Sequence, residues 1–298
     1  MILDRNIRNA VQTIMFDTFS CSSLVGKMIV VKITMKNILI TGSTDGIGKL
    51  AATMLAKEGH IVYVHGRSAV KVSATITELK FETKNDSLFG FVADFSDLDS
   101  VKKMAQEIKE QVLEIDVLIN NAGVFKNVNA CTKDGLDFRF VVNYLAPYLL
   151  TKEILPLLKK GSASRIINLS SAAQADISYE AMMGKKNISA NESYAQSKLA
   201  LTMWSFCLAK ELNDVSVVAV NPGSLLNTKM AYEAFVQHWA PAEKGADILY
   251  SLALSEKHNG ISGKYFDNDK GDYASAHPLI YNETAMNELI DFTNKLID

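Results

Sequence analysis

Tyr194 and Lys198 stand one helical turn apart in the segment Tyr-Ala-Gln-Ser-Lys, and apolar residues follow them at helical spacing. Both side chains should therefore lie on the same face of a helix. A phenol has an unperturbed pKa of about 10, and a nearby ammonium lowers that pKa, so such a tyrosine can exchange a proton closer to neutral pH. Because a Tyr-x-x-x-Lys pair occurs often by chance, its meaning depends on its surroundings.

Two other polar positions could take part in the same chemistry. Ser170 and Ser171 end a predicted strand, where ligands of parallel sheets lie, and one hydroxyl could hydrogen-bond a substrate carbonyl oxygen. A helix cap or a turn serine is the alternative. Asn143 lies in the apolar stretch Val-Val-Asn-Tyr-Leu, where an amide is costly unless it has partners. An amide that bends the helix or holds a water molecule would explain it.

A glycine-rich segment follows the first predicted strand. Gly42 permits the turn, Gly46 allows close approach of a ligand to the backbone, and Gly48 allows tight packing of the next helix, whose N-terminus then faces a pyrophosphate. A strand-helix turn without a ligand is the alternative. The residues predicted to contact a dinucleotide here are Gly42, Ser43, Asp45, Gly46, Ile47 and Gly48.

The residues at the end of the second predicted strand indicate which dinucleotide the chain binds. An acidic residue there would bind a free ribose 2′-hydroxyl, but this chain has Gly66, Arg67 and Ser68. The guanidinium of Arg67 can pair with a 2′-phosphate, and no carboxylate repels it. The pattern therefore favours NADP(H), with NAD(H) possible, and predicts Arg67 and Ser68 as contacts. An ordinary surface arginine is the alternative.

Two further strand ends could complete the cofactor site. After the third strand, Asp94 could accept a hydrogen bond from the adenine amino group, beside Phe95; alternatively Asp94 belongs to a helix-capping run. The fourth strand ends in Asn121, Ala122 and Gly123, where small residues let the backbone pass close to a ligand and amides can bridge neighbouring strands.

These positions need a sheet that brings strand ends together. Short apolar runs alternate with helical stripes from residue 37 onward, which predicts an α/β fold: a Rossmann-like, doubly wound, seven-stranded parallel sheet in a single domain. We expect this dinucleotide-binding domain at 35–298, an N-terminal extension at 1–34, a helix at 97–112 and a terminal helix at 285–296. The predicted strands are 38–40, 61–64, 88–93, 117–119, 166–169, 215–220 and 264–266.

Composition excludes several other functions. A net charge of -2 provides no positive field for nucleic acid or an anionic membrane surface. The three cysteines, Cys21, Cys131 and Cys207, are widely spaced and without metal-ligand spacing, which favours a reducing cytoplasm and predicts no metal site. No apolar run is long enough to span a bilayer, and residues 1–34 offer no continuous signal segment.

Taken together, these motifs resemble the short-chain dehydrogenase/reductase family. The resemblance rests on Thr-Gly-x-x-x-Gly-Ile-Gly, Asn-Asn-Ala-Gly, the polar set above and Asn-Pro-Gly at 221–223. It implies a catalytic tetrad of Asn143, Ser171, Tyr194 and Lys198. In such a tetrad Tyr194 is the proton donor during reduction, and Ser171 orients the carbonyl oxygen of the substrate. Lys198 binds the nicotinamide ribose and lowers the pKa of the tyrosine, while Asn143 holds a relay water. It also implies that Pro222 and Gly223 lie against the nicotinamide and that Thr228 contacts its amide or the phosphates.

Along the sequence, more residues separate Tyr194 from Ser171 than in many family members. This longer spacing resembles that of the retinol-dehydrogenase-like branch. We expect substrate loops at about 174–193 and 224–240, which favour a mostly apolar ketone, aldehyde or alcohol. In the first loop, ordinary lid packing is an equal alternative. The apolar residues of the two loops are Tyr179, Met182, Met183, Ile188, Leu225, Leu226, Met230, Tyr232, Phe235 and Trp239.

The resemblance further implies a homodimer or homotetramer through the helices of Asn143 and Tyr194, which carry apolar residues such as Leu149, Leu150 and Trp204. A nucleotide-sensing or interaction protein on the same fold, without catalysis, is the second function class. The intact serine, tyrosine and lysine argue against it.

Overall fold

A computed structural model of the chain describes residues 34–126, 129–235 and 240–297. The predicted extension at 1–34 lies almost wholly outside these residues. The strands are β1 Asn37–Ile40, β2 Ile61–Gly66, β3 Leu88–Val92, β4 Val117–Asn120, β5 Ser164–Leu169, β6 Val215–Asn221, β7 Lys264–Asp267 and β8 Asp272–Ala274. The helices are α1 Gly46–Lys57, α2 Ala69–Thr83, α3 Leu98–Gln111, α4 Phe138–Phe140, α5 Ala146–Leu158, α6 Tyr179–Met182, α7 Ala190–Glu211, α8 Lys229–Phe235, α9 Ala242–Leu254 and α10 Glu283–Ile297. A π-helical turn, Val141–Leu145, joins α4 to α5, and 3-10 turns lie at Glu256–His258 and Pro278–Tyr281.

The strands form one sheet in the order β3-β2-β1-β4-β5-β6-β7-β8. Strand β1 pairs in parallel with both β2 and β4, so the strand order reverses direction beside it. That reversal opens a crevice at the carboxyl ends of β1 and β4. The doubly wound Rossmann-like fold and all seven predicted strands are confirmed.

The predicted strand number was wrong by one. The eighth strand, Asp272–Ala274, pairs antiparallel with β7 at the edge of the sheet. It is short and half exposed, and its polar flanks give no apolar run. A sequence pattern that detects buried parallel strands therefore misses it.

Alternation along the strands builds a core on each side of the sheet. Ile38 and Ile40 of β1 belong to one buried cluster, with α1, α2 and α9, whereas Leu39 belongs to the other, with α3, α5, α7 and α10. Successive strand side chains point to opposite faces, so one apolar run supplies both cores. These two layers hold the strand ends of the crevice in place.

The predicted helices at 97–112 and 285–296 are confirmed as α3 and α10. α10 packs on α7 and also reaches the segment before and within α5. There the Tyr144 hydroxyl lies 2.7 Å from Thr293 Oγ1, and the Tyr148 hydroxyl donates to Asn294 Oδ1 at 2.8 Å. α10 thus covers part of the surface that the family resemblance assigned to a partner subunit.

No helix within 34–126, 129–235 and 240–297 is long and apolar enough to cross a membrane. The same residues contain no group of three or more His, Cys, Asp and Glu side chains that could hold a metal ion.

Candidate active site

A cleft of about 990 Å³ lies at the carboxyl ends of the parallel strands. Its wall includes most residues that the sequence indicated: Gly42, Asp45, Gly46, Ile47, Gly48, Arg67, Asp94, Phe95, Asn121, Ala122, Gly123, Ser171, Tyr194, Lys198, Pro222, Gly223 and Thr228. Ser43, Ser68 and Asn143 are not part of this wall. The fold therefore gathers positions scattered along nearly two hundred residues of sequence into one cleft.

The glycine turn is shaped by contacts with the end of β4. Gly42 has φ +63°, and a Cβ there would lie 2.8 Å from the Cα of Ala122. A Cβ on Gly48 would collide with the amide of Asn121 and lie 2.7 Å from the Gly42 carbonyl oxygen. Both positions need glycine, and the result is an α1 N-terminus whose first residues face the cleft.

The two serines outside the cleft wall have structural partners. Ser43 is fully buried; its hydroxyl donates to the Ile40 carbonyl at 2.8 Å and accepts from the His65 N–H at 3.0 Å. Ser68 caps α2 by accepting from the Lys71 N–H at 3.4 Å. Neither side chain reaches the cleft, so the structure gives no support to the predicted cofactor contacts of Ser43 and Ser68.

The part of the cleft wall that follows β2 and β3 carries a cationic side chain, Arg67, and an anionic one, Asp94. Arg67 is exposed directly after β2, where its guanidinium is available to a ligand. Asp94 accepts from the Ser96 N–H at 2.9 Å and from the Ser96 hydroxyl at 2.7 Å, while the cap of α3 is Asp97. Asp94 therefore shapes a turn and lines the cleft without capping the helix.

Asn121 joins the ends of β1 and β4. Its Nδ2 donates to the carbonyl oxygens of Thr41 and Gly42, both at 2.8 Å. The N–H groups of Asn121 and Ala122 both donate to the Thr41 hydroxyl at 3.0 Å. The expectation that amides at this strand end bridge neighbouring strands is confirmed, and Thr41 is a partner that sequence analysis missed.

Tyr194 and Lys198 lie in the first half of α7, with the Lys198 Nζ 5.7 Å from the Tyr194 ring centroid. Ser171 lies close enough to Tyr194 for its side chain to affect the pKa of the tyrosine, and the predicted proton donor and the predicted carbonyl-orienting hydroxyl line the same cleft. Burial raises the pKa of Tyr194, and the neighbouring Ser171 side chain opposes that rise. Lys198 was expected to lower the pKa of Tyr194. It does not contribute to that pKa here, and its Nζ is hydrogen-bonded to a different partner.

That partner is the Leu169 carbonyl, to which Lys198 Nζ donates at 2.6 Å. The side chain of Lys198 is only 4% exposed. Burial lowers its pKa to about 7, since a desolvated ammonium is disfavoured. At neutral pH this group therefore lies near its titration midpoint at the floor of the cleft.

Asn143 occupies the π-helical turn and is completely buried. Its Oδ1 accepts from the Val124 N–H at 2.8 Å, and its Nδ2 donates to the Val124 carbonyl and to Ser197 Oγ, both at 3.0 Å. Of the two explanations for this amide, helix distortion is the one the fold displays, because π turns interrupt the i to i−4 ladder. Its side chain acts on the loop after β4 and has little hydrogen-bonding capacity left for water.

Large apolar side chains line part of the cleft that contains Tyr194. The ring of Phe125 lies 5.0 Å from the Tyr194 ring, centroid to centroid. Further residues of this part of the wall are Phe138, Val142, Leu225, Leu226, Met230 and Ala231. The cleft wall therefore combines these apolar side chains with polar ones, among them Lys126, Asn191 and Ser224.

The two predicted substrate loops differ. In the first, Met182 is fully buried and Tyr179 packs on Phe292 of α10, with ring centroids 4.5 Å apart; neither lines the cleft, so lid packing describes them. In the second, Leu225, Leu226 and Met230 do line it. Tyr232 is 63% exposed and does not, while Trp239 and the side chain of Phe235 lie outside the described residues.

Sequence analysis missed several cleft residues, including Thr44, His65, Phe125, Lys126 and Asn191. His65 gave no signal because a histidine within a strand is an ordinary sequence feature. Phe125 comes soon after Asn-Asn-Ala-Gly, so its position after the β4 end could have indicated it.

The strand order and the cleft at the reversal point define a Rossmann-like α/β protein. A family model described as short chain dehydrogenase matches residues 36–238. The chain is 33% identical to mouse retinol dehydrogenase 12 over 258 residues, which span 83% of this chain and 82% of that protein. It is 30% identical to human polyprenol dehydrogenase over 275 residues, which span 84% and 82% of the two chains.

Among solved structures, a short chain dehydrogenase from Shigella flexneri 2a complexed with NADP is similar, with a TM-score of 0.64 and 27% identity over 78% of this chain and 97% of that one. The chain thus belongs to the short chain dehydrogenase family, in the branch of the retinol dehydrogenases, and is an oxidoreductase.

Proposed function

We propose that this chain transfers hydride between NADP(H) and a mostly apolar alcohol, aldehyde or ketone, with Tyr194 as the general acid and base. The observation that carries the proposal is the proximity of Tyr194 and Ser171 at the wall of a cleft that also contains the α1 N-terminus and Arg67. The same cleft could thus hold an anionic dinucleotide at one end and a carbonyl group at the other.

The residues present fit an NADP(H) molecule. Gly46 has φ +56°, and a Cβ there would meet nothing closer than the Thr228 methyl at 3.9 Å, so the turn leaves room in front of the α1 N-terminus. Backbone N–H groups in that position attract phosphate. The guanidinium of Arg67 supports a 2′-phosphate, and the related Shigella protein was solved with NADP. NAD(H) stays a weaker possibility.

When bound, the nicotinamide supplies or accepts the hydride. During reduction, Tyr194 Oη donates a proton to the substrate oxygen, and Ser171 Oγ orients that oxygen through its contact with the tyrosine. Because burial raises the pKa of Tyr194, the phenol is held in its protonated, donating form. Lys198 Nζ donates a hydrogen bond to the Leu169 carbonyl. In the complex this ammonium group would bind the nicotinamide ribose.

Asn143 acts in this mechanism as a positioning residue, because its side chain is hydrogen-bonded to Val124 of the cleft wall and to Ser197 of α7. A relay water at Asn143 would need groups other than this side chain for most of its hydrogen bonds. Pro222, Gly223 and Thr228 line the same cleft, and we expect them at its nicotinamide end.

An apolar substrate is supported by the side chains around the tyrosine and by the relatives named for retinol and polyprenol. Phe125 and Met230 offer apolar contact without a hydrogen-bonding group of their own.

Two accompanying predictions stay open to test. A homodimer or homotetramer would have to form without the apolar side chains first indicated for it, because Leu149, Leu150 and Trp204 are buried in the single chain. Light scattering of the purified protein measures this directly. The cytoplasmic location inferred from cysteine usage is tested by cell fractionation.

The proposed function is tested by titrating purified protein with NADPH and NADH, followed by turnover of apolar carbonyl compounds read at the nicotinamide absorbance. We expect NADPH to bind more tightly than NADH and turnover to be lost in Tyr194→Phe, which removes the proton donor and keeps the ring on Phe125. Full turnover in Tyr194→Phe, or no binding of either cofactor, would reject the proposal.

A further inference from the structure

His65 is a buried histidine that contacts two separate segments around the cleft. It is 2% exposed, near the end of β2. Its Nδ1 accepts from the Gly42 N–H at 3.0 Å, and its Nε2 lies 3.1 Å from the Ala93 carbonyl oxygen. Its ring stacks on Phe95, with centroids 4.4 Å apart. Gly42 belongs to the glycine turn, whereas Ala93 and Phe95 belong to the loop after β3.

The contacts fix the chemical state of the ring. An Nδ1 that accepts a hydrogen bond carries no proton, so the neutral ring carries its proton on Nε2 and donates it to Ala93. Burial lowers the pKa of His65 to about 4, which agrees with a neutral ring at physiological pH. A neutral ring contributes hydrogen bonds and shape to the cleft, and no charge.

The backbone of His65 adds to the same connection. Its N–H donates to Ser43 Oγ at 3.0 Å, and its carbonyl accepts from the Ser43 N–H at 2.9 Å. The glycine turn is therefore held on β2 through three hydrogen bonds, of which the one to Gly42 comes from the side chain. Gly42 adopts φ +63°, so the direction of its N–H depends on this tight turn.

We propose that His65 is a positioning residue for the cofactor: its imidazole sets the glycine turn and the loop after β3 at the separation that one dinucleotide must span. This inference rests on the proposed function, since it takes the cleft to bind NADP(H). The glycine turn is the expected pyrophosphate site, and Asp94 and Phe95 are the expected adenine site. An ordinary core histidine would affect only stability.

The proposal predicts that His65 and Arg67 affect the binding of NADPH and NADH differently. Because the ring is neutral and both of its nitrogens are hydrogen-bonded to protein groups, its loss should weaken NADPH and NADH by the same factor. The guanidinium of Arg67 should favour the 2′-phosphate and so discriminate between the two cofactors. Equal loss of both cofactors is therefore the signature of a positioning residue at this place.

The test uses three variants of the full chain, with dissociation constants for NADPH and NADH measured without substrate. His65→Phe keeps a ring on Phe95 and removes both side-chain hydrogen bonds; His65→Asn keeps an acceptor near Nδ1; His65→Gln keeps a donor near Nε2. We expect His65→Phe to weaken both cofactors about tenfold or more. We expect His65→Asn to bind more tightly than His65→Gln, and KM for the cofactor to change more than kcat.

Binding of both cofactors by folded His65→Phe within twofold of wild type would overturn the proposal, as would a loss confined to NADPH. If His65→Phe does not fold, equal affinities of His65→Asn and His65→Gln would overturn it, and the predicted order would support it. Wild-type protein that binds neither cofactor would overturn the proposed function as well. Normal wild-type binding with unaffected variants would overturn the role of His65 alone.

Discussion

The side chain of Asn143 holds the backbone of Val124 at both of its polar groups, accepting from the N–H at 2.8 Å and donating to the carbonyl at 3.0 Å. Val124 belongs to the loop after β4, whereas Asn143 lies in the π turn before α5. The other Nδ2 hydrogen is donated to Ser197 Oγ on α7. A single amide thus ties together three segments beneath the cleft.

Replacing Asn143 with alanine should destabilise the protein by about 2 kcal/mol, because two partly buried backbone groups of Val124 lose their partner. Urea unfolding measures this loss. Asn143→Asp is the matched control: it keeps the acceptor for the Val124 N–H and removes the two donors, so it separates the two halves of the contact. An alanine variant as stable as wild type would contradict this role.

The sequence predicted the sheet and the candidate site residues better than it predicted the hydrogen bonds that position those residues. Periodic apolar runs report burial of strands and helices directly, so seven strands, α3 and α10 were all foreseen. The one-turn spacing of Tyr194 and Lys198 also predicted a shared helix segment. Each of these features depends on residues that are close in sequence.

The features that were missed depend on contacts between distant residues. The bond from Lys198 to the Leu169 carbonyl, the bond from His65 to Gly42 and the burial of Ser43 require the packed sheet before they can be recognised. β8 was missed because an exposed edge strand has no apolar pattern. Local sequence carries no information about such partners.

Replacing Arg67 with alanine should weaken NADPH more than NADH. A charge-assisted hydrogen bond contributes about 1.5 to 3 kcal/mol, so the expected difference is on the order of 10- to 150-fold in dissociation constant. Arg67→Lys is the control, because it keeps the charge and loses the planar fork, and should retain part of the preference. Titrations at two salt concentrations would also show the difference shrinking as salt rises. An equal loss for both cofactors would show that Arg67 does not contact the 2′-phosphate.

The contact between α10 and the π turn should contribute measurable stability. Tyr144 is completely buried, and its hydroxyl lies 2.7 Å from Thr293 Oγ1. Thr293→Val removes one partner and should cost about 1 to 3 kcal/mol, because the phenol is left unpaired. The double variant with Tyr144→Phe should cost less than the sum of the two single changes. Additive costs in thermal or urea unfolding would mean that these two groups do not interact.

Lys198 should make the stability of the cofactor-free protein rise with pH above neutrality. Burial lowers its pKa from 10.5 to about 7, so between these values the unfolded chain binds a proton that the folded chain has released, and raising the pH favours folding. The expected gain from this group is about 2 to 3 kcal/mol between pH 7 and pH 9. Lys198→Met lacks the titration, although it also leaves the Leu169 carbonyl without its donor.

The quantity to measure is therefore the difference in unfolding free energy between Lys198→Met and wild type, at pH 6 and at pH 9. That difference should be more favourable to the methionine variant at pH 6, where wild type carries the full cost of a buried charge, and should shift toward wild type at pH 9. Tyr194→Phe keeps the lysine and should follow the wild-type pH dependence. A difference that stays constant with pH would mean that Lys198 keeps an ordinary pKa in the folded protein.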